Sequence, residues 1–303
     1  MRTVLSQAFR GVLMGSADMV PGVSGGTVAL VLGIYERLVA TIHTGAQALG
    51  NLARGRPRAA WQRLTEIPWG WLLGLVGGIA VAIFSLSNLV TRLLESHPQA
   101  LAGLFFGLIA GAVVVAWRLL RRPDPRKLLL AALGAVVAFV GLGLGASSQD
   151  AMSGPQPALW LFFLSGAIAI CAMILPGISG SFILVMVGMY AHVLAAVNDR
   201  EIVLIAVFVA GCIAGLAAFS TLLTWLLAHH HDVVLALLIG VMVGSLRVLW
   251  PWPDGLDSTD LGAPGSPLWA PIGLAVTGFV VVVVIDLLAR DLSARRNEAR
   301  TAP

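Results

Sequence analysis

A short Pro-Gly motif occurs twice in this chain, and each copy interrupts a long apolar segment. The first copy is residues 21–27, Pro-Gly-Val-Ser-Gly-Gly-Thr, and the second is residues 176–181, Pro-Gly-Ile-Ser-Gly-Ser. The match continues at the same offset of 155 residues, because the Gly-x-Tyr of residues 33–35 returns at residues 188–190. Proline and glycine break helices, so each apolar segment is predicted to change direction at its motif. Two matched breaks are typical of transporters that bind substrate at the breaks.

The composition places these breaks in a membrane protein. Hydrophobic residues make up 58% of the 303 residues and charged residues only 11%, whereas soluble proteins contain roughly 25% charged residues. Residues 158–198 contain no Asp, Glu, Lys or Arg. As one straight helix they would be about 60 Å long, about twice the hydrocarbon core of a bilayer. The sequence therefore predicts an all-α polytopic membrane protein whose apolar segments turn back at the motifs.

The later apolar segments also repeat, at an offset of 133 residues, so that Gly107 and Trp117 correspond to Gly240 and Trp250. We therefore predict two inverted repeats, each consisting of a broken (re-entrant) helical hairpin followed by three transmembrane helices. The first repeat covers residues 1–147, with a hairpin over residues 3–48 and spans over about residues 67–91, 99–117 and 128–147. The second covers residues 158–290, with a hairpin over residues 158–198 and spans over about residues 202–228, 233–250 and 268–288. Residues 291–303 are predicted to form a cytoplasmic tail.

The inversion follows from the number of spans and from the charges. Three spans separate the two motifs, and an odd number reverses the direction in which the chain meets the membrane. Fourteen Arg and Lys residues lie in the two termini and in loops 50–66 and 118–127, against three on the other side. Because Arg and Lys concentrate in cytoplasmic loops, both termini are predicted to be cytoplasmic. The His-rich turn at residues 229–232 falls on the same predicted side.

This topology predicts the outcome of cysteine labelling. Cysteines placed in loop 50–66 and in loop 251–267 are expected to react with a membrane-impermeant thiol reagent from opposite sides of sealed vesicles. Labelling of both loops from one side would contradict the inverted arrangement.

The motifs themselves are the predicted substrate site. A broken helix leaves free backbone amides at its new N-terminus, where the helix dipole is positive, and such an end binds anions. Glycines allow close approach of a ligand to the backbone, and serine and threonine add hydroxyl donors. The alternative is that these small residues serve helix packing. The predicted anion-binding residues, which the family resemblance described below assigns to a substrate phosphate, are Gly22, Ser24, Gly25, Gly26, Thr27, Gly177, Ser179, Gly180 and Ser181.

Asp18 is the candidate coupling residue. It lies three residues before Pro21, and Met173 occupies its repeat position. An acid at membrane depth is costly and is a functional candidate for that reason. The alternative is that Asp18 caps neighbouring backbone groups or pairs with Arg10 or Arg37.

Four further ionisable residues are candidates for charge or coupling roles. Glu36 and Arg37 follow the first Gly-x-Tyr, and His192 follows the second. Arg247 lies near the end of an apolar span, where it either contacts a phosphate or extends to the membrane surface. These residues leave three energy sources open for transport: protons, sodium or the lipid gradient alone.

Several classes of function are not expected. The sequence has no Walker-type phosphate loop, nucleotide-binding fold or zinc signature, so we expect no cofactor and no metal. Cys171 and Cys212 lie in apolar segments and are interpreted as small buried hydrophobic residues. The net charge of +4 comes from loop residues and is attributed to topology, so nucleic acid is not an expected partner.

The two motifs, with Gly33-Ile34-Tyr35 and Gly188-Met189-Tyr190, resemble those of the bacterial polyprenyl-phosphate transporter family. The resemblance covers about residues 5–290. It implies a flippase of the bacterial cytoplasmic membrane that returns undecaprenyl phosphate from the outer to the inner leaflet. The lipid carrier is then used again in cell-envelope synthesis, and the resemblance implies no enzymatic activity.

Two other functions fit a pair of broken helices. An intramembrane phosphatase of lipid pyrophosphate would need an acid or a nucleophile beside an Arg at the reacting phosphate. Neither motif contains an acid or an Arg, although Asp18 and Arg37 flank the first. A transporter of small anions would instead need a water-filled path that is closed to lipid.

Overall fold

The computed structural model describes residues 2–19, 24–122, 124–144, 157–255 and 261–301. The regular elements in these ranges are helices, and no strand occurs among them. Five of the helices are long and apolar enough to cross a membrane. These observations confirm the predicted all-α, multi-pass membrane protein.

The helices follow one another with short connections. In the first predicted repeat they are α1 (Arg2–Asp18), α2 (Gly25–Val31), α3 (Tyr35–Ala53), α4 (Pro57–Glu66), α5 (Trp69–Ser96), α6 (Pro98–Arg118) and α7 (Pro125–Leu144). In the second they are α8 (Leu159–Ile174), α9 (Gly180–Met186), α10 (Tyr190–Asn198), α11 (Ile202–Ser245) and α12 (Trp269–Thr301). A 3-10 turn, Leu246–Leu249, continues α11. The predicted tail at residues 291–303 is helical as far as Thr301, because α12 continues into it.

The second arm of each predicted hairpin is divided into two helices. Gly33, between α2 and α3, has φ +65°, and Gly188, between α9 and α10, has φ +69°. Glycine adopts this backbone conformation without steric cost, which explains why both Gly-x-Tyr sequences begin with it. The axes of α9 and α10 differ by 110°. The predicted hairpins 3–48 and 158–198 therefore each contain a further interruption, at Gly33 and at Gly188.

A matched break also occurs at two histidines. His97 separates α5 from α6, with φ −142° and ψ 53°. His230, its repeat position, has φ −133° and ψ 39° and divides α11 into two helical parts. The predicted spans 202–228 and 233–250 are thus two helices that meet at a kink, without a loop between them.

Close helix crossings recur at equivalent positions of the two predicted repeats. A Cβ on Gly107 of α6 would overlap the carbonyl oxygen of Ala275 in α12. A Cβ on Gly240 of α11, the repeat position of Gly107, would overlap the carbonyl oxygen of Ala131 in α7. Small residues allow membrane helices to approach this closely. The crossings agree with an internal repeat, whereas its inversion across a membrane stays a prediction.

The first helices of the two hairpins pack in the same way. Gly11 of α1 lies against the backbone of Leu75 in α5, and Gly166 of α8 lies against the backbone of Phe208 in α11. Along both pairs the contacting residues advance together, so the paired helices run parallel. The short helix α2 lies inside, where Ala29 is fully buried in the main apolar core.

The basic loop and the His-rich turn lie together. Asp232 accepts hydrogen bonds from the amides of Arg121 and Arg122 at 3.2 and 3.1 Å, and from Nζ of Lys127 at 3.0 Å. The predicted topology requires both segments to be on one side of the membrane. Which side that is stays a prediction.

Candidate functional site

The two sequence motifs lie against each other in the folded chain. The hydroxyl of Ser24 donates to the carbonyl oxygen of Met173 at 3.1 Å. In the opposite direction, the amide of Gly177 donates to Oγ1 of Thr27 at 2.8 Å. Ser24 is 1% exposed and Thr27 is 4% exposed, so these bonds are formed away from the surface. Two segments about 150 residues apart in sequence thus form one site.

Two glycines make this approach possible. A Cβ on Gly26 would lie 2.8 Å from the carbonyl oxygen of Ile174, closer than real contacts allow. Gly177 has φ +90°, and a Cβ there would lie 2.8 Å from Cα of Met242 and 3.1 Å from Oγ of Ser245. Any other residue at either position would separate the two motifs or displace α11.

The first three amides of α2 are bonded to oxygens of the protein. Ser24 has an extended backbone, and its side chain caps the helix by accepting from the amide of Gly26 at 3.1 Å. The Asp18 carboxylate accepts from the amide of Gly25 at 2.5 Å. The amide of Thr27 donates to the carbonyl oxygen of Ser24 at 2.9 Å. A carboxylate at a helix N-terminus is electrostatically favourable. The N-terminus of α2, the first tip, therefore carries a carboxyl group of its own.

The N-terminus of α9, the second tip, is built differently from that of α2. Ser179 also has an extended backbone before α9, but its side chain makes no capping bond. Its hydroxyl is hydrogen-bonded instead to the hydroxyl of Ser181 at 2.8 Å. Gly180 packs closely on α8, and the repeat position of Asp18 is the apolar Met173. The second tip thus has a serine pair where the first tip has a carboxylate.

Asp18 makes no ion pair with either candidate Arg within the described part of the chain. Arg10 donates to Oε1 of Gln7 at 3.2 Å, and the guanidinium of Arg37 lies 4.7 Å from the ring centre of Trp71. Of the alternatives that the sequence left open for Asp18, backbone capping is the one observed, and pairing with Arg10 or Arg37 is wrong.

The other predicted residues lie in different places. Glu36 is mostly exposed and contacts Nε2 of His231 at 2.9 Å. His192 lies half-buried in α10. Arg247 lies in the 3-10 turn after α11 and borders a separate cavity. Gly22 falls outside the described residues. The structure therefore gathers both motifs and Asp18 at one point and leaves the remaining charged candidates around it.

Several groups near the motifs, and one cavity, could not be predicted from the sequence. The carbonyl oxygen of Met173, which receives the Ser24 hydroxyl, carries no signal in the residue type. Ser245 was missed because it lies in an apolar helix far from both motifs in sequence. A polar cavity of about 400 Å³ between α3, α4 and α11 was also not predicted. Its two arginines belong to loop 50–66, which entered only the prediction of topology. Its polar lining residues are His43, Gln47, Asn51, Arg54, Arg63 and Thr221.

The contact between motifs predicts a stability difference between two threonine variants. Thr27→Val keeps the shape of the side chain but leaves the buried amide of Gly177 without its acceptor. The expected loss is about 1–3 kcal/mol in the free energy of unfolding. Thr41→Val is the control, because buried Thr41 donates only to the carbonyl oxygen of Arg37 in its own helix. Unfolding of the purified protein in detergent measures both, and equal losses would contradict the role assigned to Thr27.

Comparison with known proteins gives a consistent result. A family model described as undecaprenyl phosphate translocase-like matches residues 14–262, a region that contains both motifs. The polyprenyl-phosphate transporter of Vibrio cholerae serotype O1 is 41% identical over 256 residues, which covers 84% of this chain and 80% of that protein. The polyprenyl-phosphate transporter of Staphylococcus aureus is 30% identical over 302 residues, covering 95% of this chain and 96% of that protein. No solved structure matches the chain significantly.

Proposed function

Since this chain belongs to the undecaprenyl phosphate translocase-like family, we propose that it carries polyprenyl phosphate between the leaflets of the bacterial cytoplasmic membrane. The proposed direction is from the outer to the inner leaflet, which returns the lipid carrier for further cell-envelope synthesis. The two relatives are named as transporters, which favours translocation over phosphoryl cleavage.

The observation that carries the proposal is the contact of the N-terminus of α2 with the break that follows α8, inside the protein. A phosphate monoester has about −1.5 to −2 charges near neutral pH and three strong acceptor oxygens. Crossing hydrocarbon requires that donors already in place substitute for its water. The contact provides the Ser24 hydroxyl and the Gly177 amide as donors, and the N-terminus of α9 adds the hydroxyls of Ser179 and Ser181. The prenyl chain remains in the bilayer, so only the head group needs a polar path.

Binding of the head group requires the two tips to separate. In the structure the Ser24 and Thr27 hydroxyls are engaged by Met173 and Gly177. A phosphate that took over the two donors of these bonds, the Ser24 hydroxyl and the Gly177 amide, would replace contacts between the motifs with contacts to itself. We therefore assign the head group to the described glycines, serines and threonine of both motifs. The residues are Ser24, Gly25, Gly26, Thr27, Gly177, Ser179, Gly180 and Ser181.

Asp18 gives the two tips different roles in this proposal. Its carboxylate already occupies the amide of Gly25, and a phosphate approaching the same amide would be repelled by it. Protonation or displacement of Asp18 would remove that repulsion. The second tip has Met173 at this position and has no such barrier. We propose that the phosphate first engages the second tip and that Asp18 couples its passage to a proton.

A translocation assay tests the proposed function. Labelled polyprenyl phosphate is placed in one leaflet of proteoliposomes, and its appearance in the other leaflet is followed with an impermeant quencher. The wild-type protein is expected to accelerate transfer over protein-free liposomes. Ser179→Leu should abolish the acceleration by filling the second tip, while Ser85→Leu, on an exposed face of α5, should not. Equal transfer with and without protein would refute the function.

The role of Asp18 predicts a change in pH dependence. Asp18→Asn keeps an oxygen that accepts from Gly25 but cannot exchange a proton. The variant is expected to bind polyprenyl phosphate and to translocate it at a rate that no longer varies with pH. Glu66→Gln is the control, because Glu66 is exposed and pairs only with Arg63. If Asp18→Asn keeps the pH profile of the parent in the same assay, Asp18 is not the coupling residue.

A further inference from the structure

Arg247 borders a cavity of about 280 Å³ that is separate from the contact between the two motifs. The cavity lies between α6, α7 and the end of α11. Apart from Arg247, its walls are almost entirely aromatic and aliphatic. The principal lining side chains are Phe106, Phe139, Val243, Leu246, Trp250 and Leu261.

The Arg247 side chain has no anionic partner among the described residues. Its Nε is buried and makes no hydrogen bond, and its guanidinium carbon lies 4.7 Å from the ring centre of Phe139. Gly143 leaves the space for it, since a Cβ there would overlap the guanidinium carbon. An Arg that merely extends to the membrane surface would direct its charge into water. Here the side chain lies across α7 with its Nε away from solvent, and an anionic ligand at the guanidinium would provide a partner for it.

The rest of the cavity limits what that ligand can be. Nε1 of Trp250 already donates to the carbonyl oxygen of Gly262 at 2.9 Å. The Trp250 ring is held edge-on by Phe106 and Trp252, at centroid distances of 6.0 and 5.4 Å. Among these side chains Arg247 is thus the donor that remains available. The ligand needs one compact anionic group on an otherwise apolar body.

The size of the cavity also fits a ligand with one compact anionic group and a short apolar segment. A water molecule occupies about 30 Å³ in the liquid, so 280 Å³ corresponds to about nine waters. That volume accommodates a phosphate and a short carbon segment, and a long chain would have to continue out between the helices.

We infer that this cavity is a second binding site, which takes the phosphate and the first carbons of a polyprenyl phosphate. The choice of lipid rests on the proposed function. The cavity lies beside the second tip, because Gly177 packs on Ser245, two residues before Arg247. The repeat position of Arg247 is Val114, so the first repeat has no equivalent cation there. In the predicted topology Arg247 is on the outer side, and the cavity receives the lipid before the second tip does.

Photolabelling of the full-length protein tests the site directly. The probe is a polyprenyl monophosphate with a photoreactive group on its first isoprene unit, applied to protein in zwitterionic nanodiscs. Adducts are expected on peptides that contain Phe139 and residues 243–250. Arg247→Gln should reduce labelling of these peptides by about tenfold or more, the size expected for losing a charge-assisted hydrogen bond. Arg92→Gln, at an exposed position on the same predicted side, should leave labelling unchanged.

Two further variants separate binding from folding. Arg247→Lys keeps the charge and should retain part of the labelling. Gly143→Ala keeps Arg247 but displaces its guanidinium, and should reduce labelling although the charge is still present. Size-exclusion profiles and thermal stability establish that each variant is folded. Labelling that is unchanged in folded Arg247→Gln would overturn the inference.

Competition identifies the source of the phosphate. Unlabelled polyprenyl phosphate should compete with the probe, whereas the matched neutral polyprenol and inorganic phosphate should compete far less. Equal competition by polyprenol would overturn the role of Arg247, and equal competition by inorganic phosphate would overturn a lipid ligand. If wild-type proteoliposomes fail to translocate the lipid while Arg247-dependent labelling persists, the proposed function fails and the site stands. If the lipid is translocated but labelling does not depend on Arg247, the proposed function stands and the second binding site is refuted.

Discussion

The architecture depends on how backbone groups freed by helix breaks are satisfied away from water. A bilayer offers no hydrogen bonds, so each break must find its partners within the protein. Here each motif supplies partners for the other: Ser24 donates to Met173, and Gly177 donates to Thr27. These bonds hold the site closed, and the same donors are those that a phosphate would need. Under the proposed function, the contact between the motifs and the phosphate would compete for the same donors.

The asymmetry between the tips follows from a single difference in sequence. Asp18 fills the role of an anion at the first tip, and its repeat position, Met173, is apolar. Two identical tips would bind a phosphate equally and would give it no preferred order of contacts. A carboxylate on one of them makes the sites unequal, and it provides a group whose protonation changes the balance.

Much of the fold follows from the sequence because long apolar segments and Pro-Gly breaks are strong signals. The helical class and the breaks at both motifs could be read directly. The bends at Gly33 and Gly188 could not, because a glycine in an apolar segment serves helix packing as often as a turn. The hydrogen bond from Ser24 to Met173 was also inaccessible, since any residue supplies a backbone carbonyl. The position of Arg247 against Phe139 and Gly143 could not be predicted either, because it depends on how α7 packs on the end of α11.

The crossings at Gly107 and Gly240 have a consequence for how the molecule can move. Helix α6 packs on α12, and the second part of α11 packs on α7, so each predicted repeat lends a helix to the other. If these crossings persist during transport, the rigid units are mixed pairs, and they do not coincide with the units that recur in the sequence. Rocking of one predicted repeat against the other would separate the helices at both crossings. Movement that preserves them would involve the hairpins with their parallel partners, α1 with α5 and α8 with the first part of α11, around the exchanged helices.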